Sequence, residues 1–364
     1  MPKAAPLVFY YVTSHGYGHA TRAAAVCSEL ERLGARVVVR TAAPAWLFSD
    51  EGLKAEVRPA DLDCGLAMKD ALAVDIPASL AAYEALHARW DELRREETAL
   101  LRREGADVAL SDAGALPVEA AAEAGVPAAV VSNFTWDWIV EPWAADEPRW
   151  ETVRRRMAEA YARADVLLRL PLGGGAPAIV RSADMPLVVR APSALGREAV
   201  RRKLGLDPAD SRPVAAYSFG GVDWEGGAAA GADALAGWRF VAYVPRPAGL
   251  KADWLQLPRR SPLRHCDIIA AADAVLMKPG YGTFAEVLAA RAPALVVPRA
   301  DFRECAPMLE VVRRLGRIRM LETADFMAGR WQEGLDALAA ATDPWADLAL
   351  DGAEAVARRA LALA

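Results

Sequence analysis

The sequence predicts an α/β protein built from two doubly wound, Rossmann-like domains that face one another across an interdomain cleft. Three observations carry this expectation. The chain has 364 residues, more than one ordinary domain and enough for two of roughly 170–190 residues, each able to bury a core. Short β-branched runs alternate with alanine-rich helical patterns, as parallel strands with crossover helices require. The alternation comes as two series, separated by the punctuated stretch Pro171-Leu172-Gly173-Gly174-Gly175-Ala176-Pro177.

In the first series, residues 7–12 read as a strand, 20–33 as a helix stopped by Gly34, and 36–40 as the next strand. Residues 107–110, 128–131 and 165–168 read as three more strands, and the charged pattern over 79–103 as one or two helices on the sheet face. In the second series, 213–218, 239–244, 274–277 and 294–297 read as strands with helices between them. The boundary is expected near residues 187–204, giving an N-terminal domain over 1–190 and a C-terminal domain over 191–345. Residues 346–364, ending AVARRALALA, read as a helix that packs across the domains.

Composition removes several classes of function. Hydrophobic residues make up 54% of the chain and charged ones 25%, which excludes extensive disorder. The 43 basic against 48 acidic residues, net charge -5, supply no positive field of the kind a nucleic-acid binder needs. Cys27, Cys64, Cys266 and Cys305 stand far apart, with neither zinc-ribbon spacing nor a disulfide framework. Lys3 precedes a short apolar run, but Thr13-Ser14-His15-Gly16 stands where a signal cleavage site would be, and no run reaches eighteen apolar residues. The expectation is a cytoplasmic monomer or homodimer with no membrane span.

The chemistry-bearing residues gather where strands end. After the first strand comes Thr13-Ser14-His15-Gly16-Tyr17-Gly18-His19-Ala20-Thr21-Arg22. Its small residues allow a tight turn, and the following helix N-terminus offers unpaired N–H groups to an anion or polar ligand. The spacing is neither a dinucleotide fingerprint nor a Walker sequence. His15 and His19 are two of only four histidines. An imidazole here is placed for general-base work, typically worth about 10²–10⁴ in rate, or simply bonds to the loop backbone. The pair is not expected to bind metal, because the glycines put His15 in the turn before the helix. Asp112, at another strand end, is a candidate orienter of a histidine.

Lys278-Pro279-Gly280-Tyr281-Gly282-Thr283-Phe284-Ala285-Glu286 repeats the pattern in the second series. Gly280 and Gly282 permit close approach, Thr283 is a candidate helix cap, and the nest suits a diphosphate. Glu286, one turn in, is spaced to reach ribose hydroxyls, or serves as a first-turn dipole partner. Arg303 and Glu304 after the next strand, and Gly220 and Gly221 after residues 213–218, extend the candidate donor site. In the first series, Asn133 and Trp136 offer amide bonds and an aromatic face to a sugar, although tryptophans at this spacing also fit a core. Ligands of doubly wound sheets sit beyond the C-terminal strand ends, where all these candidates lie.

These segments resemble the two-domain Rossmann-like (GT-B) glycosyltransferase superfamily that includes MurG. They are most similar to the glycosyltransferase-like N-terminal region of plant L-arabinokinase and its stand-alone bacterial relatives. The resemblance rests on YYVTSHGYGHATR, SDAGALPVEAAAEAGVPAAVVSNFTWDWI, MPLVVRAPSALGREAVRRKLGL, RHCDIIAAADAVLMKPGYGTFAEVLAARAPALVVPR and FMAGRW. It does not extend to a kinase portion. It implies an inverting, metal-independent glycosyltransferase that takes a nucleotide-diphosphosugar, such as a UDP-sugar, and a hydroxyl acceptor without a further cofactor. His19 then stands at the catalytic base, with Gly18 beside it. Gly282, Thr283 and Glu286 stand at phosphate and ribose contacts with Gly220, Gly221, Lys278, Gly280 and Tyr281, and His15, Gly16, Tyr17, Asn133 and Trp136 on the acceptor side. Arg303-Glu304 replaces the family's Asp–Gln sugar contact. The competing readings are a nucleotide-sugar epimerase or hydrolase, with Glu304 or Asp112 acting on the sugar, and a non-catalytic sugar- or nucleotide-binding protein.

Overall fold

The protein is described by a computed structural model covering residues 5–190, 192–219, 235, 237–247 and 250–364. Its contacts divide the chain into two units, Met1–Ala67 with Val74–Val188 and Ala349–Ala364, and Met68–Ala73 with Val189–Leu348.

The first unit carries seven strands: β1 (Leu7–Val12), β2 (Arg36–Thr41), β3 (Glu56–Pro59), β4 (Val108–Asp112), β5 (Ala128–Ser132), β6 (Val166–Arg169) and β7 (Ser182–Asp184). They form one sheet in the order β3-β2-β1-β4-β5-β6-β7, with every pairing parallel. A parallel strand covered on both faces has no polar side to show, which is why all six residues of β1, LVFYYV, are apolar and buried. The charged stretch ahead of β4 forms two helices, Ile76–Ala88 and Trp90–Glu104. The Asp75 carboxylate accepts from the Ala78 N–H to start the first of them.

The Gly/Pro-rich stretch before β7 is a brace inside this unit. The Asn133 amide donates to the Gly173 carbonyl at 3.2 Å, and the Thr135 N–H to Gly175 at 2.9 Å. The C-terminal helix Gly352–Leu361 also belongs here and packs on Tyr17–Arg32. A Cβ at Gly352 would lie 2.3 Å from the Pro186 carbonyl oxygen.

The second unit carries β8 (Val214–Ser218), β9 (Arg239–Ala242), β10 (Asp253–Gln256), β11 (Ala274–Met277), β12 (Ala294–Val296) and β13 (Ile318–Met320). The order is β10-β9-β8-β11-β12-β13, again parallel throughout. Its core stacks Tyr217, Phe219, Phe240, Phe326 and Trp331. Phe326 and Trp331 lie with ring centroids 5.4 Å apart and planes inclined by 11°. Phe326 and Trp331 of the FMAGRW segment therefore supply packing, while Met327 is exposed.

Candidate functional site

Each sheet has one place where the strand order reverses, and the crevice there is where a doubly wound sheet takes its ligand. In the first unit it lies between β1 and β4, whose ends pair Val12 with Asp112. Gly16, at φ +80°, turns the chain into the helix Tyr17–Arg32. That helix starts three residues before the expected Ala20, because the glycine lets the turn close at once, and His19 falls in its first turn.

His19 Nδ1 lies 2.7 Å from Asp112 Oδ1. Asp112 is fully buried, and Arg22 grips both of its oxygens through Nε at 2.7 Å and Nη2 at 2.6 Å. Burial would raise the Asp112 carboxyl, but Arg22 and His19 more than offset it and the net displacement is downward. An ionised carboxylate accepts only, so Nδ1 of the neutral imidazole carries the proton and Nε2 is left as a proton acceptor. Directly after Asp112, Ala113 holds φ +69°, a left-handed conformation costly for a residue with a Cβ, and the buried Tyr161 hydroxyl donates to its carbonyl.

Of the other first-unit candidates, Asn133 supports this pair through Arg22. The Asn133 Oδ1 accepts from Arg22 at 3.3 Å, so this buried amide holds Arg22. The expected sugar platform at Trp136 is corrected: the indole is fully buried, edge-on to His15 at 5.4 Å, and donates to Asp63 Oδ2 at 2.9 Å. Core packing of the helix against the sheet leaves it no exposed face. His15 Nδ1 accepts from the Leu66 N–H at 3.2 Å, and Tyr17 packs edge-on to Trp46. Asp63 was not singled out from sequence, since it lies between regular elements. Burial pushes its carboxyl up, against the Thr13 hydroxyl, the Trp136 N–H, the Gly65 N–H and His19.

In the second unit the order reverses between β8 and β11, with Ser218 paired to Met277. Lys278 follows β11 and is half-buried. Burial, and then the Arg299 guanidinium, lower its ammonium to about 7, opposed by Asp70. The helix Tyr281–Ala290 is capped by Gly280, not by Thr283, whose side chain makes no capping bond. The early start puts Thr283 inside the first turn. A Cβ at Gly280 would meet nothing within 4 Å among the described residues.

Glu286 stands in the second turn of this helix. It is buried, its Oε1 accepts from Arg190 at 3.0 Å, and its Oε2 accepts from His265 Nδ1. His265 Nε2 in turn lies 2.9 Å from Ser218 Oγ. Neither Ser218 nor His265 was a sequence candidate. Arg299, after β12, is buried over the Phe302 ring at 4.4 Å. Arg303 is half-buried and Glu304 buried at the start of the helix Cys305–Val312. Gly220 and Gly221 lie outside the described residues. Among the described residues no group of three His, Cys, Asp or Glu could hold a metal ion, and no helix is long and apolar enough to cross a membrane.

No protein-family model matches the chain. It is 34% identical over 338 residues to L-arabinokinase of Arabidopsis thaliana, an alignment covering 91% of this chain and 32% of that protein. The chain thus spans about a third of the length of the curated relative it matches. The glycotransferase of kitacinnamycin superposes with a TM-score of 0.62 at 19% identity, covering 100% of this chain and 94% of that one. Glycosyltransferase VinC, solved in complex with dTDP, superposes with a TM-score of 0.55 at 15% identity, over 98% and 94%. The fold is that of the GT-B glycosyltransferases.

Proposed function

We propose that the chain is a glycosyltransferase that moves a sugar from a nucleotide-diphosphosugar, such as a UDP-sugar, to a hydroxyl acceptor, with inversion and without a metal. The observation that carries the reading is the His19–Asp112 pair at the reversal point of the first sheet. His19 Nε2 takes the acceptor's hydroxyl proton while the acceptor oxygen bonds to the anomeric carbon. The bond from that carbon to the phosphate oxygen breaks, and the diphosphate leaves with the electron pair. Lys278 and the N–H groups at the start of the helix Tyr281–Ala290 offset its charge. The dTDP held by VinC, and the glycosyltransferase fold itself, support this ligand class. Phosphoryl transfer, suggested by the name of the arabinokinase relative, is not part of the proposal.

The test is a panel of nucleotide-diphosphosugars incubated with wild type and His19→Ala, reading thermal stabilisation and release of nucleoside diphosphate. Stabilisation by a diphosphosugar in both proteins, with release only in wild type, supports the assignment. Release undiminished in His19→Ala removes the base role, and no stabilisation by any donor removes the nucleotide-sugar reading.

A further inference from the structure

The residues that follow β1 divide by what they face. His15 Nδ1 is taken by the Leu66 N–H, and His19 Nδ1 by Asp112. Thr13 and Ser14 instead line an open cavity of about 270 Å³, together with Arg40 near the end of β2, Leu62 and Asp63 beyond β3, and Pro117 beyond β4. All of them belong to the first unit. The cavity adjoins the proposed base, because Val12 on its wall is the register partner of Asp112. None of the acceptor candidates named from sequence lines it.

This wall keeps polar capacity that the fold does not use. A carboxylate offers about four acceptor positions. Asp63 gives Oδ2 to the Trp136 N–H at 2.9 Å and Oδ1 to the Gly65 N–H at 3.3 Å, and takes a third bond from the Thr13 hydroxyl, which leaves about one. Arg40 directs Nε and Nη2 to Glu97 and Nη1 to the Pro59 carbonyl, so that about two of its guanidinium hydrogens remain. The Ser14 hydroxyl is exposed and can both give and receive. An acceptor, donors and a hydroxyl around one small space complement a molecule with several hydroxyls. An extended apolar molecule would take the same groups out of water and return no hydrogen bonds to them. The volume also lies below the roughly 300–1,000 Å³ of pockets that hold drug-sized ligands.

We infer that this cavity takes a hydroxyl-rich acceptor, a free sugar or polyol, and that Asp63 selects it by accepting a hydrogen bond from a hydroxyl other than the one that reacts. Ser14 and Arg40 bond its remaining hydroxyls, while His19 Nε2 receives the reacting one. The inference rests on the transferase reading given above and deepens it by naming the class of acceptor.

The experiment is a saturation-transfer NMR titration of the full chain with glycerol, myo-inositol, D-glucose, D-xylose and 2-naphthol, alone and with UDP present, for wild type, Asp63→Asn and Ser14→Ala. Wild type is expected to bind at least one of the four polyhydroxyl probes. Asp63→Asn should weaken that probe about tenfold, and Ser14→Ala severalfold. Should Asp63→Asn fail to fold, Ser14→Ala at its exposed position decides. Tighter binding of 2-naphthol than of every polyhydroxyl probe overturns the inference, as does no binding of any of the four. Unchanged affinity in a folded Asp63→Asn, or in Ser14→Ala, overturns it too. Nucleoside diphosphate release that requires 2-naphthol and ignores the polyols overturns it while the transferase reading stands. Polyol binding weakened in both variants, with no turnover of any donor, supports the cavity assignment and removes the transferase reading instead.

Discussion

Nδ1 of His19 and Oδ1 of Asp112 lie 2.7 Å apart, joining the first turn of the first helix to the end of β4, 93 residues later. The contact sets the tautomer of the imidazole, so the two residues act as one unit in proton transfer. His19→Ala should lower turnover by about 10²–10⁴. Asp112→Asn, which can present an N–H to Nδ1 and so favour the wrong tautomer, should cost a comparable factor while nucleotide affinity stays unchanged. Steady-state release of nucleoside diphosphate checks both. An Asp112→Asn enzyme as fast as wild type would dissolve the pair.

Arg22 carries the structural side of the same site. It is 3% exposed and bonded to both oxygens of a fully buried carboxylate. Removing it leaves that carboxylate with His19 as its side-chain partner among the described residues. Arg22→Ala should therefore destabilise the first unit by about 3–5 kcal/mol, read by urea unfolding. Because the folded-state pKa of Asp112 is lowered, its contribution is fully present above the unfolded value of about 3.9 and lost as pH falls through the folded one. Asp112→Asn should flatten that acid limb, and an unaltered limb would contradict the assignment.

Gly174 predicts a backbone effect. Its φ is +118°, and a Cβ there would lie 2.0 Å from the Asn133 carbonyl oxygen, which belongs to the main chain and cannot swing away. Gly174→Ala should cost roughly 1–3 kcal/mol and loosen the Asn133 loop that holds Arg22. Loss of turnover together with a lowered melting temperature is the expected result. A variant as stable as wild type would show that the loop is not braced there.

What could be read from sequence follows the position of each strand in its sheet. Every interior strand left an apolar run, as β1, β4, β5, β8 and β11 do, because both of its faces are covered. The four strands that left no such signal, β3, β7, β10 and β13, are the four sheet edges. β3, β7 and β10 are exposed at both ends, and β13 is a three-residue strand buried only at Ile318. The site divides similarly. His19, Asp112 and Lys278 stand at or just beyond strand ends and were found by that rule. His265 opens a seven-residue helix, and only tertiary structure places it against Ser218 and Glu286. Trp136 was ambiguous because indoles suit a sugar face and a core equally well, and packing alone decides between them.

Lys278 supplies the last prediction. Burial and Arg299 lower its ammonium to about 7, against an unfolded value of about 10.4. Between those two values the unfolded chain binds the extra proton, so this residue makes stability rise with pH across that window. A diphosphate demands the opposite, since it is held by the protonated amine. Affinity for UDP-glucose, whose diphosphate has no group titrating near neutrality, should therefore fall as pH rises through about 7, by about tenfold between pH 6 and pH 8.5. Lys278→Arg keeps its charge throughout this range and should bind with little pH dependence. Calorimetric titration at both pH values decides the matter. A wild type with equal affinity at both, or a Lys278→Arg variant that declines in parallel with it, would remove Lys278 from the phosphate contact and leave its lowered pKa a consequence of burial alone.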